Sequence, residues 1–90
     1  MIIEYTKTRD NAHSPQRANP SDAGLDVFYS ELSPQEIIAV HPNQSALVPT
    51  GLRFGVPHGY MLEVKNRSSV AAKLNLVVGA CVIDSGYDGE

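Results

Sequence analysis

Three short stretches of this sequence hold residue types that could do chemistry. The first, residues 79–90, reads Gly-Ala-Cys-Val-Ile-Asp-Ser-Gly-Tyr-Asp-Gly-Glu. Residues 76–78 and 81–83 are short apolar runs with Gly79 and Ala80 between them, the pattern of a β-hairpin with a small-residue tip. Asp84 leaves the second arm, and Ser85-Gly86 leads at once to Tyr87. Gly86 would allow a turn or bulge there. A carboxylate and an aromatic ring are therefore expected on one bent ribbon, beside a tip whose backbone a flat ligand could approach. By itself such a stretch is more often an ordinary hairpin with a solvated aspartate and a half-buried tyrosine.

The second stretch, residues 65–73, reads Lys-Asn-Arg-Ser-Ser-Val-Ala-Ala-Lys and holds three of the seven basic residues with no acid. Serines and backbone N–H groups at a helix start suit an anion. Arg67 adds a fork of donors that matches phosphate oxygens. In isolation the commoner meaning is a capped helix with solvated lysines. The third stretch, residues 21–30, reads Ser-Asp-Ala-Gly-Leu-Asp-Val-Phe-Tyr-Ser. Asp26 alternates with Leu25 and Val27, so it points away from their face and could hold a water or a metal-bound water. The alternative is a surface carboxylate on an edge strand.

The elements that must position these residues are mostly strands. Residues 1–6, 25–29, 37–40, 46–48, 52–56 and 60–65 read as strands, because they are short, β-prone and bounded by turn signals. Residues 7–22 form a polar loop without apolar period. Turns are expected at 33–36, 42–44 and 57–59, and a break or bulge at 49–51. Only Ser68–Leu74 looks helical, two turns at most, with Ser68 or Ser69 as its cap. Strands at this spacing predict an all-β sandwich or barrel with one short helix.

Ninety residues make at most one domain. With 42% hydrophobic and 19% charged residues, the composition is that of a globular chain. A net charge of −3 argues against a general nucleic-acid or membrane-surface partner. No apolar run approaches the roughly 20 residues of a membrane helix. The first residues lack the marks of a secretory leader, and the lone Cys81 suits a reducing compartment, so a cytoplasmic protein is expected, or one of the host cytoplasm if viral. His13, His41 and His58 have no zinc-site spacing.

Taken together, the three stretches resemble the first three motifs of the trimeric dUTP diphosphatase family. Ala23-Gly24-Leu25-Asp26 comes first, then Arg67-Ser68-Ser69 running into Ala71-Ala72-Lys73, then Val82-Ile83-Asp84-Ser85-Gly86-Tyr87 with Gly89. The order and spacing match, and the likeness runs from Pro20 onward, including Ala46-Leu47-Val48-Pro49-Thr50-Gly51-Leu52. Ser69-Val70 stands where Gly-Leu is frequent, Cys81 where glycine is usual, and Asp88 where a basic or neutral polar residue is usual.

The resemblance implies a β jelly-roll that assembles as a homotrimer with sites at subunit interfaces. It implies hydrolysis of dUTP to dUMP and pyrophosphate with Mg²⁺ held mainly by the triphosphate. Asp84 would be the general base that activates water, and Tyr87 the ring against the deoxyribose that leaves no room for a 2′-hydroxyl. Arg67, Ser68 and Ser69 would bind phosphates, Gly79 would belong to the slot that reads uracil, and Asp26 would reach Mg²⁺ through water. The family's two further motifs fall beyond Glu90, so residues 1–90 are expected to be one incomplete jelly-roll domain, truncated at the C-terminus. Two other readings remain open at this point. One is a dCTP deaminase-like enzyme, which shares the jelly-roll and an Arg-Ser-Ser stretch. The other is a non-catalytic jelly-roll kept as a binding module.

Overall fold

The computed structural model describes residues 2–79 and 82–90. In chain order the elements are β1 (Glu4–Lys7), β2 (Leu52–Gly55), β3 (Met61–Glu63), α1 (Ser68–Leu74) and β4 (Val82–Asp84). β1 pairs with β2, and β3 pairs with β4. The chain divides into two compact units, Tyr5–Phe54 with Gly89–Glu90, and Met1–Glu4 with Gly55–Asp88.

In the first of these units the Tyr5 and Phe54 rings lie 6.5 Å apart, and the Thr8 N–H donates to the Gly51 carbonyl at 2.7 Å. Partner numbers that fall on one chain as they rise on the other mark an antiparallel pair. Leu52 and Ala12 are buried, with fully buried Ser30 beside them. Ser30 is tolerated there because its hydroxyl donates to Asn11 Oδ1 at 3.1 Å and its carbonyl accepts from Arg9 Nη2 at 3.0 Å. The turn at 33–36 closes through the Glu36 N–H to the Ser33 carbonyl, and the one at 42–44 through the Gln44 N–H to the His41 carbonyl.

The strands expected over 25–29, 37–40 and 46–48 are not formed as ladders. One bridge joins Asp26 to Gln16, and one hydrogen bond runs from the Ser30 N–H to the Pro49 carbonyl at 2.9 Å. β-propensity makes a stretch extended, but a ladder needs a partner backbone along its whole length. The alternation over 25–30 is nevertheless real. Leu25, Val27 and Tyr29 are exposed, while Asp26 and Phe28 are half-buried and Ser30 is buried. β1 likewise begins at Glu4, later than the strand expected from residue 1.

In the second unit β3 and β4 are antiparallel, with Met61 opposite Asp84, Leu62 opposite Ile83 and Glu63 opposite Val82. Leu62 and Ile83 face the less exposed side, as period-2 alternation requires. Before β3 the chain turns at Pro57-His58-Gly59, where Gly59 takes φ 87° and the Tyr60 N–H donates to the Pro57 carbonyl. Positive φ is readily adopted by glycine, which has no Cβ to clash.

Helix α1 has the expected bounds but not the expected cap. Arg67 is the N-cap residue, in extended conformation and without a side-chain capping bond, so Ser68 and Ser69 are already helical. Its carbonyl accepts the Ala71 N–H at 2.9 Å, the first turn of the helix. Asn75 ends the helix in the left-handed conformation (φ 55°, ψ 34°), which asparagine tolerates better than most residues. The arm predicted at 76–78 forms no strand, and β4 takes β3 as its partner. One donor of that arm is already used, since the Val78 N–H is held by the Asn66 side chain. Ala80 and Cys81, in the predicted tip and second arm, lie outside the described residues. Among the described residues no helix is long and apolar enough to cross a membrane.

Candidate functional site

Asp84 is the last residue of β4, fixed by its pairing with Met61. Its carbonyl accepts the Tyr87 N–H at 3.1 Å, so Asp84-Ser85-Gly86-Tyr87 is one closed turn. Both Asp84 and Tyr87 are exposed. The ladder fixes where the carboxylate leaves the sheet, and the turn fixes where the ring follows it. The expected bent ribbon is therefore present, built on β3 rather than on residues 76–78. Gly86 does not need to be glycine for this turn. Its φ is not left-handed, and a Cβ there would meet nothing within 4 Å.

Arg67, Ser68 and Ser69 are all exposed at the start of α1. Lys73 lies in the last turn, where a cation interacts well with the helix carbonyl end. Gly79 follows Val78 and is exposed, and a Cβ built on it meets nothing within 4 Å. The Asn66 Oδ1 accepts the Val78 N–H at 2.7 Å. That bond ties the residue before Arg67 to the residue before Gly79. Asp26 belongs to the other unit, where its backbone exchanges both hydrogen bonds with Gln16, at 2.7 and 3.0 Å.

The six residues of the second unit thus fall into two groups, Asp84 with Tyr87 on one turn, and Arg67, Ser68 and Ser69 joined to Gly79 through Asn66. Sequence reasoning passed over Asn66, naming it only within the basic stretch. The signal was there, a short amide between two basic residues immediately before a helix. Among the described residues no three of His, Cys, Asp and Glu converge as a metal cage.

A family model described as dUTPase matches residues 10–90. The chain belongs to the dUTPase family. It is 34% identical over 88 residues to the deoxyuridine 5′-triphosphate nucleotidohydrolase of Chlamydia trachomatis (serovar L2), covering 96% of this chain and 59% of that protein. It is 40% identical over 78 residues to the enzyme of the same name from Gloeobacter violaceus, covering 84% of this chain and 51% of the relative. Among solved structures, the dUTPase of phage phi11 of S. aureus superposes with a TM-score of 0.85 at 30% identity, over 99% of this chain and 55% of that one. The dUTPase of Staphylococcus bacteriophage 80alpha gives 0.84 at 30% identity, over 98% of this chain and 54% of that one. The fold is therefore that of the dUTPase jelly-roll, all-β with one short helix. The chain spans a little over half the length of these dUTPases.

Proposed function

We propose that the protein acts as a dUTP diphosphatase, hydrolysing dUTP to dUMP and pyrophosphate. The observation that carries this reading is the Asp84–Tyr87 turn at the end of β4, in a chain of the dUTPase family. Hydrolysis of a phosphoanhydride requires a positioned water and neutralised charge, with little covalent chemistry from the protein. Asp84 is the general base that orients the water and takes its proton. Tyr87 packs its ring on the deoxyribose and occupies the space of a 2′-hydroxyl. Arg67, Ser68 and Ser69 bind phosphate oxygens from the start of α1. Gly79 presents open backbone to the uracil edge.

Mg²⁺ fits this donor set as a cation brought with the substrate. The half-buried carboxylate of Asp26 would suit an ion whose other ligands are triphosphate oxygens and waters, since Mg²⁺ gives up its waters reluctantly. When bound, the ion neutralises the triphosphate and polarises the scissile anhydride. The structure of the phage phi11 dUTPase concerns the coordination of a structural Mg(II) ion in that protein.

We further propose a homotrimer. Leu25, Val27 and Tyr29 form an exposed apolar row, and Ile37 and Leu47 are 89% and 96% exposed, the kind of surface that association removes from water. The test is direct. Purified protein is assayed for pyrophosphate release from dUTP with and without Mg²⁺, for ammonia release from dCTP, and for mass by sedimentation equilibrium. Pyrophosphate from dUTP, no ammonia from dCTP and a threefold mass are expected. Absence of pyrophosphate at every Mg²⁺ concentration would sink the proposal.

A further inference from the structure

We infer that Asn66 is a positioning residue for this site, coupling the phosphate-binding segment to the base-reading segment through its bond to Val78; this rests on the dUTP reading above. The Asn66 side-chain oxygen accepts the Val78 N–H at 2.7 Å across twelve intervening steps of chain. Between the two lie α1 and the left-handed Asn75, which turns the chain back after the helix. The bond closes that excursion into a loop. Arg67 directly follows one partner, and Gly79 directly follows the other. Any drift of residues 76–79 relative to the helix start must stretch or break this one bond.

The side chain is suited to the task. Asn66 precedes the N-cap, so its amide is not needed by the helix, and α1 has no side-chain cap at all. Residues 76–78 have no ladder to hold them, so their placement depends on local ties of this kind. An exposed hydrogen bond contributes little to global stability, but a local bond can still fix the geometry of the two segments it joins. The Val78 N–H, once committed to Asn66, also leaves the neighbouring backbone of Gly79 in a set orientation for a base edge.

The test compares Asn66→Leu, similar in size but without an acceptor, with Asn66→Asp, which keeps an oxygen in the same place. Both are made in the full-length protein. Three quantities are read: the ratio of kcat/KM for dUTP to that for dTTP, the hydrogen-exchange rate of the Val78 amide, and the thermal unfolding midpoint. The added charge of Asn66→Asp acts equally on two triphosphates and cancels in the ratio. Asn66→Leu is expected to lower the ratio by about three- to tenfold, the loss of one hydrogen bond, and to speed Val78 exchange. Asn66→Asp is expected to keep both near the parent values. A leucine variant that exchanges Val78 at the parent rate would show there is no tie. Faster Val78 exchange in that variant with an unchanged ratio, whether or not the midpoint falls, would leave the Asn66–Val78 bond as a structural tie with no part in reading the base, and would overturn the positioning role. If the parent itself turned over no dUTP, the functional reading would fall and the positioning role with it, even where the exchange data still revealed the tie.

Discussion

Arg9 Nη1 lies 3.0 Å from Glu90 Oε1 and 3.2 Å from Oε2, an ion pair that joins residues 81 positions apart. The same carboxylate accepts the Thr8 hydroxyl at 2.9 Å and the Gly51 N–H at 3.0 Å. Arg9 meanwhile donates through Nη2 to the Ser30 carbonyl at 3.0 Å. Glu90 thus closes a node on the corner between β1 and β2.

This node predicts an acid dependence. The Arg9 guanidinium first, then the Gly51 N–H and the Thr8 hydroxyl, hold the Glu90 carboxyl down at about 2, against its ordinary 4.5. The unfolded chain therefore binds the extra proton between those two pH values, and the contribution of Glu90 is lost as the pH falls through them. Above about pH 5 the contribution is fully present. Glu90→Gln should lower the thermal midpoint at pH 7, with a gap from the parent that closes toward pH 2. The Glu90 side chain is 30% exposed, so solvent screening keeps the effect modest. A gap that stayed constant from pH 7 to pH 2 would show that the carboxylate charge does not matter.

Gly51 sits in the same node and should not tolerate a side chain. Its φ is +71°, and a Cβ there would lie 2.7 Å from the Ala12 Cβ, 3.2 Å from Arg9 Nη2 and 3.3 Å from Ser30 Oγ. Gly51→Ala should cost about 1–3 kcal/mol from backbone strain alone. Gly86→Ala, with open space and no left-handed φ, should stay within about 0.5 kcal/mol of the parent. Denaturant midpoints of the two variants provide the check. Equal losses would mean that the left-handed conformation and close packing of Gly51 have no energetic weight.

What could be read in the sequence was what short-range chemistry decides. The bounds of α1, the turns at 33–36, 42–44 and 57–59, and the Asp84–Tyr87 turn all rest on residues within a few positions of one another. The pairing of β4 with β3 instead of residues 76–78 was not legible, because a strand's partner is chosen by non-local packing. The Arg9–Glu90 pair left no local pattern at all. The serines looked like caps because serine commonly is one, yet the N-cap is Arg67 and both serines are already helical. The even-odd pattern of residues 25–30 was visible, but which face would be buried was not. The half-buried face carries Asp26 and Phe28, with the Phe28 ring 5.6 Å from that of His13, and leaves Leu25 and Val27 outside.

Tyr87→Ala should relax discrimination at the sugar. The residue is 51% exposed, and its backbone is held by the turn to Asp84. If the ring packs on the deoxyribose as proposed, replacing it with a methyl group leaves room for a 2′-hydroxyl, and the preference for dUTP over UTP should fall about tenfold or more. Steady-state kcat/KM values for the two nucleotides measure this. A variant with the parent's preference would restrict Tyr87 to packing.

Asp84→Asn isolates the proposed proton acceptor. The carboxamide has nearly the shape of the carboxylate, and the position is set by backbone pairing with Met61 that the substitution does not touch. The turn to Tyr87 also depends on the Asp84 carbonyl, not on its side chain. Fold and ring placement should therefore survive, and with them most of the affinity for dUTP. What the amide cannot do is take a proton from water at neutral pH. Loss of a general base costs about 10²–10⁴-fold in rate, so kcat should fall by that factor while the dissociation constant for a non-hydrolysable dUTP analogue stays within a few fold. Equal losses in binding and turnover would recast Asp84 as a binding residue, and parental turnover would remove it from the chemistry.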